Sequence, residues 1–320
     1  MDKPYVIGVD MGGTNTVIGV VDARGSILFR GKISTTDYST GNEYAEALGG
    51  AINKLIEENN IKGKVKGIGM GAPNGNMHEG TIEKAANIPW AKIEIVPIAK
   101  MLTNITGLNC KLTNDANAAA LGEMAYGVAK GMKDFMVITL GTGVGSGIVA
   151  NGQLVVGHDG FAGELGHSIL VRNNGRACGC GRSGCLETYT SATGVARTAR
   201  EMLDLNPEKE SLLREINMRP ITSKDVFDAA EKGDKLAIDI FEFTAKCLAL
   251  SLCDFITFSS PQAIILFGGL AHAGKYLIEP LEREIEANIL NVYEGKTKIL
   301  ISQLNDAEAA ILGASALAWE

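Results

Sequence analysis

The sequence predicts an α/β protein made of two similar halves that face a cleft. Two observations predict it. A glycine-rich turn follows a strand at corresponding places, Asp10-Met-Gly-Gly-Thr14 and Leu140-Gly-Thr-Gly-Val-Gly145, and the same order of strands and helices occurs twice along the chain. The length of 320 residues suffices for one large or two modest cores. Hydrophobic residues make up 46% and charged residues 21%, the ordinary balance of a globular chain.

Residues 5–11, 15–22 and 26–35 alternate and are rich in Val and Ile, with DMGGTN and DARGS as the turns of a three-strand meander. Residues 42–60 carry Tyr44, Leu48, Ile52, Leu55 and Ile56 at helical spacing. VKGIGMGA (65–72) is a short buried strand, followed by a helix around 95–106 and a strand around 109–114. The helix former ANAAALGEMA comes next. In the second half, 134–156 is again strand, glycine turn, strand, and HSILV (167–171) is a further strand. A long apolar helix over 235–257 and the buried strand AIILFGGL follow. A helix over 275–289, a strand over 298–302 and a helix over 306–318 close the chain. The expected division is 1–114 plus 306–320 as a small domain and 115–305 as a large one.

A net charge of −7 argues against a nucleic-acid partner, which calls for a basic face. The local basic cluster Arg172, Arg176 and Arg182 fits a solvated loop. The opening MDKPYVIGVDMGG is no signal peptide, because its short apolar run is broken by Asp10, and no run reaches the length of a membrane span. The expectation is a cytoplasmic protein with reduced thiols and no membrane partner. Cys110, Cys247 and Cys253 are isolated in apolar segments and suit small core positions.

Glycine lets backbone N–H groups approach an anion closely, so the two turns suit phosphate; Thr14 and Thr142 add hydroxyls. Asp10 is placed to help hold Mg²⁺ through water. Taken singly, each turn is also compatible with a plain hairpin; as a pair at equivalent places they favour phosphate. Neither is a Walker loop or a dinucleotide fingerprint. GIGMGA (67–72) has the latter spacing, but Pro73 follows at once and no helix opens there.

The stretch GELGHSILVRNNGRACGCGRSGCLE (163–187) holds His167, Cys178, Cys180 and Cys185, fenced by Glu164 and Glu187. One imidazole and three thiolates make a closed tetrahedral zinc set, structural rather than catalytic; the bland alternative is four unmetallated side chains. Zinc on one ring nitrogen fixes the direction of the other, which can then donate to a ligand. The flanking carboxylates accept from adjacent hydroxyls, as a sugar offers. In LTNDANAAALGE (112–123) a strand ends at Asn114-Asp115 and a helix begins. Asp115 either caps that helix or serves as a base for an alcohol.

DMGGT, LGTGVGSG and AIILFGGLA resemble the two phosphate loops and the adenosine loop of the sugar kinase, actin and heat-shock chaperone superfamily. GELGH…CGCGRSGCLE is similar to the signature of the ROK family (repressors, uncharacterised frames and sugar kinases), most like its glucokinase-type members. The resemblance spans the chain from Asp10 to the last helix. It implies a duplicated actin-like (ribonuclease H-like) fold with a zinc-stapled loop. It implies ATP with Mg²⁺ at Asp10, Gly12, Gly13, Thr14, Asn15, Gly141, Thr142, Gly143, Gly268 and Gly269. It implies sugar hydroxyls at Asn114, Glu164, His167 and Glu187, with Gly75 and Asn76 as further contacts, and Asp115 as the catalytic base.

The implied reaction is transfer of the γ-phosphate of ATP to the 6-hydroxyl of a hexose, with glucose first. N-acetylmannosamine, N-acetylglucosamine, fructose and allose stand behind it. A sugar-sensing repressor of the same family is disfavoured, since Asp10 lies only ten residues in and leaves no room for a DNA-binding segment. An actin-like assembling ATPase has no use for the zinc loop. A homo-oligomer, dimer or tetramer, is expected.

Overall fold

In a computed structural model that describes residues 3–85 and 88–319, the opening alternation folds into the expected meander, β1 (Tyr5–Met11), β2 (Asn15–Asp22) and β3 (Ile27–Ser34). Then come α1 (Gly41–Glu58), β4 (Val65–Gly71), β5 (Gly75–Asn76), β6 (Thr81–Glu83), β7 (Ile95–Val96), α2 (Ile98–Thr106), β8 (Cys110–Thr113) and α3 (Asp115–Ala125). The second half runs β9 (Phe135–Leu140), β10 (Val144–Ala150), β11 (Gln153–Leu154), α4 (Glu187–Thr190), α5 (Ala192–Leu205), α6 (Ser223–Glu231) and α7 (Lys235–Ser259). It closes with β12 (Ala263–Phe267), α8 (Lys275–Asn288), β13 (Lys298–Ile301) and α9 (Asp306–Ala316).

The chain forms two compact units, residues 1–133, 147–163 and 303–320 in one and 134–146 and 164–302 in the other. The first is built on a sheet of order β3-β2-β1-β4-β8, in which β1, β4 and β8 are parallel. Ile7, Val9, Ile18, Ile68, Met70 and Leu112 join Tyr44, Leu48 and Ile52 of α1 in one core. On another side α9 packs against β1, β4 and α3. Glycines permit that approach: a Cβ at Gly8 would lie 2.2 Å from the Ile311 carbonyl oxygen, and one at Gly69 1.9 Å from that of Ala314. A small antiparallel sheet, β5-β6-β7, completes this unit.

The second unit repeats the plan. Its parallel strands follow the order β9-β12-β13. The anticipated duplication is therefore present in the parallel strands, β9-β12-β13 answering β1-β4-β8.

Three expectations are corrected. The compact units do not divide at residue 114: α3 stays with the first unit because it packs on α9, where a Cβ at Gly313 would lie 2.2 Å from the Ala118 carbonyl oxygen. HSILV is not a strand. The N–H groups of Leu170 and Val171 converge on the single carbonyl of Gly184, which leaves only an isolated bridge between Ile169 and Cys185. The helix expected from 95 begins at Ile98, since Pro97 separates it from the short strand β7. Helices α5 and α6 were not anticipated. No helix among the described residues is long and apolar enough to cross a membrane.

Candidate active site

In open α/β sheets, ligands sit outside the carboxyl ends of parallel strands. The first unit puts its candidate residues at those ends. β1 ends in Asp10-Met11 and the turn to β2, β4 leads to Gly75, and β8 leads to Asn114 and Asp115. In the first turn the Gly12 N–H closes on the Asn15 carbonyl at 3.0 Å, and the Thr14 carbonyl accepts from the Thr35 N–H at 2.8 Å. Gly13, Thr14 and Asn15 are exposed.

The structure separates the tasks of Asn114 and Asp115. Asn114 is the cap of α3: its Oδ1 accepts from the Asn117 N–H at 2.7 Å. Asp115 is the first helical residue, exposed at the surface, and its Oδ1 accepts from its neighbour, the Ala116 N–H, at 2.9 Å. The protein mass around Asp115 disfavours its charge and raises its pKa. Asp10 is raised to about 6, first by burial and then by the charge of Asp115. A carboxylate raised in this way, as Asp10 is, suits the neighbourhood of a divalent cation, whose charge relieves it.

Gly75 runs close over the end of β8, where a Cβ would lie 2.5 Å from the Thr113 carbonyl oxygen. The Asn76 side chain is engaged within the protein. Its Nδ2 donates to Glu83 Oε1 and the Asp159 carbonyl, and its Oδ1 accepts from the N–H groups of His78 and Glu79. Both donors and both lone pairs of the amide are used inside the protein.

The second unit repeats the arrangement at the ends of β9 and β12, which pair with Phe267 opposite Thr139. Gly141–Gly143 form a tight turn, Gly141 N–H to Gly143 carbonyl at 3.1 Å. The start of α5 clamps it: the Ala192 N–H donates to the Gly141 carbonyl, and Thr193 Oγ1 to that of Thr142 at 2.8 Å. Gly268 has a φ of 97° and comes so near β9 that a Cβ would lie 3.0 Å from the Leu140 carbonyl oxygen. That residue precedes Gly141, so the Gly268-Gly269 and Gly141–Gly143 loops are neighbours.

His167, Cys178, Cys180 and Cys185 converge, their ligand atoms all within 4.8 Å of one another. Cys178 Sγ is 3.6 Å from His167 Nδ1, and Cys180 Sγ is 3.6 Å from Cys185 Sγ. Zinc bonds of about 2.3 Å to sulfur and about 2.0–2.1 Å to nitrogen set tetrahedral ligand atoms about 3.6–3.8 Å apart, so this set fits that ion. The cluster also favours a thiolate. Burial opposes ionisation of Cys180, but hydrogen bonds from the Arg182 backbone, Cys178 and the Arg182 side chain outweigh it and lower its pKa to about 6. Glu187 opens α4 beside the cluster, with Oε1 3.0 Å from Cys178 Sγ. Glu164 precedes the turn Leu165–His167 and accepts the His167 N–H on its carbonyl at 3.0 Å.

Arg176 is not part of a solvated loop. It is buried, donates to Glu201, Thr198 and the Thr188 carbonyl, and lies 4.5 Å from the Tyr189 ring centre. Partners on α4 and α5 decide this, and neither helix was legible as its neighbour. Arg172 is exposed, while Arg182 donates to the His167 carbonyl. Thr113 and Asn117, which flank Asn114-Asp115, were also missed. Both are buried, and Thr113 Oγ1 and Asn117 Oδ1 have no hydrogen-bond partner. The TNDAN spacing holds the only signal for them, and it does not show which side chains turn inward.

The sequence pattern of the ROK family matches residues 6–320. A glucokinase of Halalkalibacterium halodurans is 35% identical over 315 residues, 98% of this chain and 94% of that one. A glucokinase of Thermotoga maritima is 34% identical over 324 residues, 100% of this chain and 99% of that one. Among solved structures, a ROK family glucokinase from Streptomyces griseus in complex with glucose and AMPPNP superposes with a TM-score of 0.78 at 32% identity, covering 98% of each chain.

Proposed function

This chain belongs to the ROK family, and on that premise we propose that it is an ATP-dependent hexose kinase that phosphorylates the 6-hydroxyl of glucose. The observation that carries the chemistry is the division of labour at β8. Asn114 caps α3, so Asp115 is not needed as the cap and stands exposed with a raised pKa. A carboxylate so tuned suits a general base, because its proton affinity moves toward the working pH.

In this reading Asp115 accepts the proton of the sugar hydroxyl as that oxygen attacks the γ-phosphate. The turns at Gly12–Asn15 and Gly141–Gly143 hold the phosphates with backbone N–H groups, and Gly268-Gly269 leave room for the adenosine. Asp10 would help hold Mg²⁺, and the cation would offset charge on the phosphates. Acceleration then comes from positioning and electrostatics rather than from a covalent intermediate. His167, Cys178, Cys180 and Cys185 hold a structural zinc ion. Glu164, Glu187, His167 and the amide N–H of Asn114 are the groups offered to sugar hydroxyls.

Glucose is chosen because the Halalkalibacterium halodurans and Thermotoga maritima relatives are glucokinases and the Streptomyces griseus structure contains glucose. A coupled assay of ADP release over glucose, mannose, fructose, allose and the two N-acetylhexosamines tests it. Glucose is expected to show the highest kcat/KM. An N-acetylhexosamine ahead of glucose replaces the substrate and keeps the kinase; no turnover with any hexose overturns both.

A further inference from the structure

The cysteine–histidine cluster and the second glycine turn are built into one another at Val144, the residue that follows Gly143. On one side, Glu187 Oε2 lies 3.4 Å from the Val144 N–H, and a Cβ at Gly143 would lie 2.7 Å from the same oxygen. The other carboxylate oxygen, Oε1, is 3.0 Å from Cys178 Sγ and 3.7 Å from His167 Nδ1. On the other side, Gly166, the neighbour of His167, lies against the Val144 carbonyl, where a Cβ would come within 1.9 Å of the oxygen. The Leu165 N–H adds a bond to Ser146 Oγ at 3.3 Å. Both the donor and the acceptor of Val144 are thus bracketed by a residue that touches the cluster or adjoins one of its ligands.

We propose that the His167, Cys178, Cys180 and Cys185 cluster sets the shape of the phosphate turn Gly141–Gly143 through Glu187 and Gly166, so that metal occupancy governs nucleotide affinity and not the sugar side alone. The inference rests on the kinase reading above. A cradle of backbone N–H groups binds phosphate well only if it is shaped before the ligand arrives; ordering it on binding costs affinity. Its conformation depends on where Val144 is held. Val144 is held by Glu187 and Gly166, and these are held where Cys178 and His167 share one metal. Glu187 and Gly166 are therefore positioning residues for the turn.

The test is equilibrium binding, without turnover, of Mg²⁺–ADP and of glucose in separate titrations. The protein is compared in its zinc-loaded form, after depletion by a chelator, and as the zinc-loaded variants Gly166→Ala and Glu187→Gln. Depletion is expected to weaken ADP about 10- to 100-fold, the range of one charge-assisted hydrogen bond to the backbone. Gly166→Ala leaves all four ligands in place and is expected to weaken ADP by at least about tenfold, because its methyl group displaces Val144. A depleted protein that keeps its circular dichroism spectrum and binds ADP as the loaded protein does overturns the coupling. If depletion unfolds the chain, the loaded variants decide: undiminished ADP affinity in Glu187→Gln, which imposes no backbone strain, overturns it equally. Loaded wild-type protein that binds neither ADP nor glucose overturns the kinase reading itself, an outcome distinct from normal binding that ignores the metal.

Discussion

Asp115 and Asp10 share one electrostatic environment. Burial lifts the carboxyl of Asp10, the charge of Asp115 lifts it further, and together they bring it to about 6. The two residues reach this relation from β1 and from the start of α3, more than a hundred positions apart in the chain.

Asp115→Asn keeps the shape at the end of β8 and removes the proton acceptor. A fall in kcat of at least about 10²-fold is expected, the scale of losing a general base, with glucose affinity largely retained. Steady-state kinetics and a glucose titration check it; near-normal turnover rules Asp115 out as the base. In the wild type, the raised pKa of Asp115 moves the acid limb of the kcat/KM profile above the ordinary aspartate value of 3.8, with activity lost as pH falls through the raised value.

Asp10 affects stability with the opposite sense of pH. Its pKa is higher folded than unfolded, so the native state binds its proton more tightly. The resulting stabilisation is complete below the ordinary value of 3.8 and is lost as pH rises through about 6. Asp10→Asn removes the buried charge. Relative to wild type, without Mg²⁺ or nucleotide, it should raise the Tm at about pH 8, with little gain at about pH 4. Thermal melts at the two pH values read this out. A variant less stable than wild type at the higher pH contradicts it.

Elemental analysis should find about one zinc per chain, as a closed four-ligand site requires. Cys180→Ser should lose the metal and weaken glucose binding, because the arm that ends in Glu187 is then no longer held by the four-ligand cluster. Full glucose affinity in metal-free protein would separate the metal from the sugar site.

Gly69→Ala tests the packing of α9 rather than the chemistry. The added Cβ would lie 1.9 Å from the Ala314 carbonyl oxygen and 3.1 Å from Leu317 Cβ. The backbone of α9 has to move, and a loss of about 1–3 kcal/mol is expected. A denaturant titration measures it; Gly50→Ala, with nothing within 4 Å of its Cβ, is the matched control.

Much of this molecule is legible because its signals are local. Strand alternation, helical spacing and glycine turns depend on neighbours in sequence, and β1, β2, α1, β9 and α7 lie within a few residues of where those signals place them. The ligands His167, Cys178, Cys180 and Cys185 lie within 19 residues and carry their chemistry in their identity. HSILV misled for the converse reason: its composition is that of a strand, but the ladder it needs is absent, since the N–H groups of Leu170 and Val171 both go to the Gly184 carbonyl.

By itself, then, the sequence determined which elements form, that they occur twice, and which residue types are available for phosphate, metal and sugar. Only the tertiary structure decided how those residues are used. It made Asn114 the cap and left Asp115 exposed, closed Asn76 inside its own hydrogen bonds, buried Arg176 on Tyr189, and set Glu187 between Cys178 and Val144. The physical reason is that a side chain's partners and its proton affinity depend on atoms brought near by packing. No period or motif records which distant segments those will be.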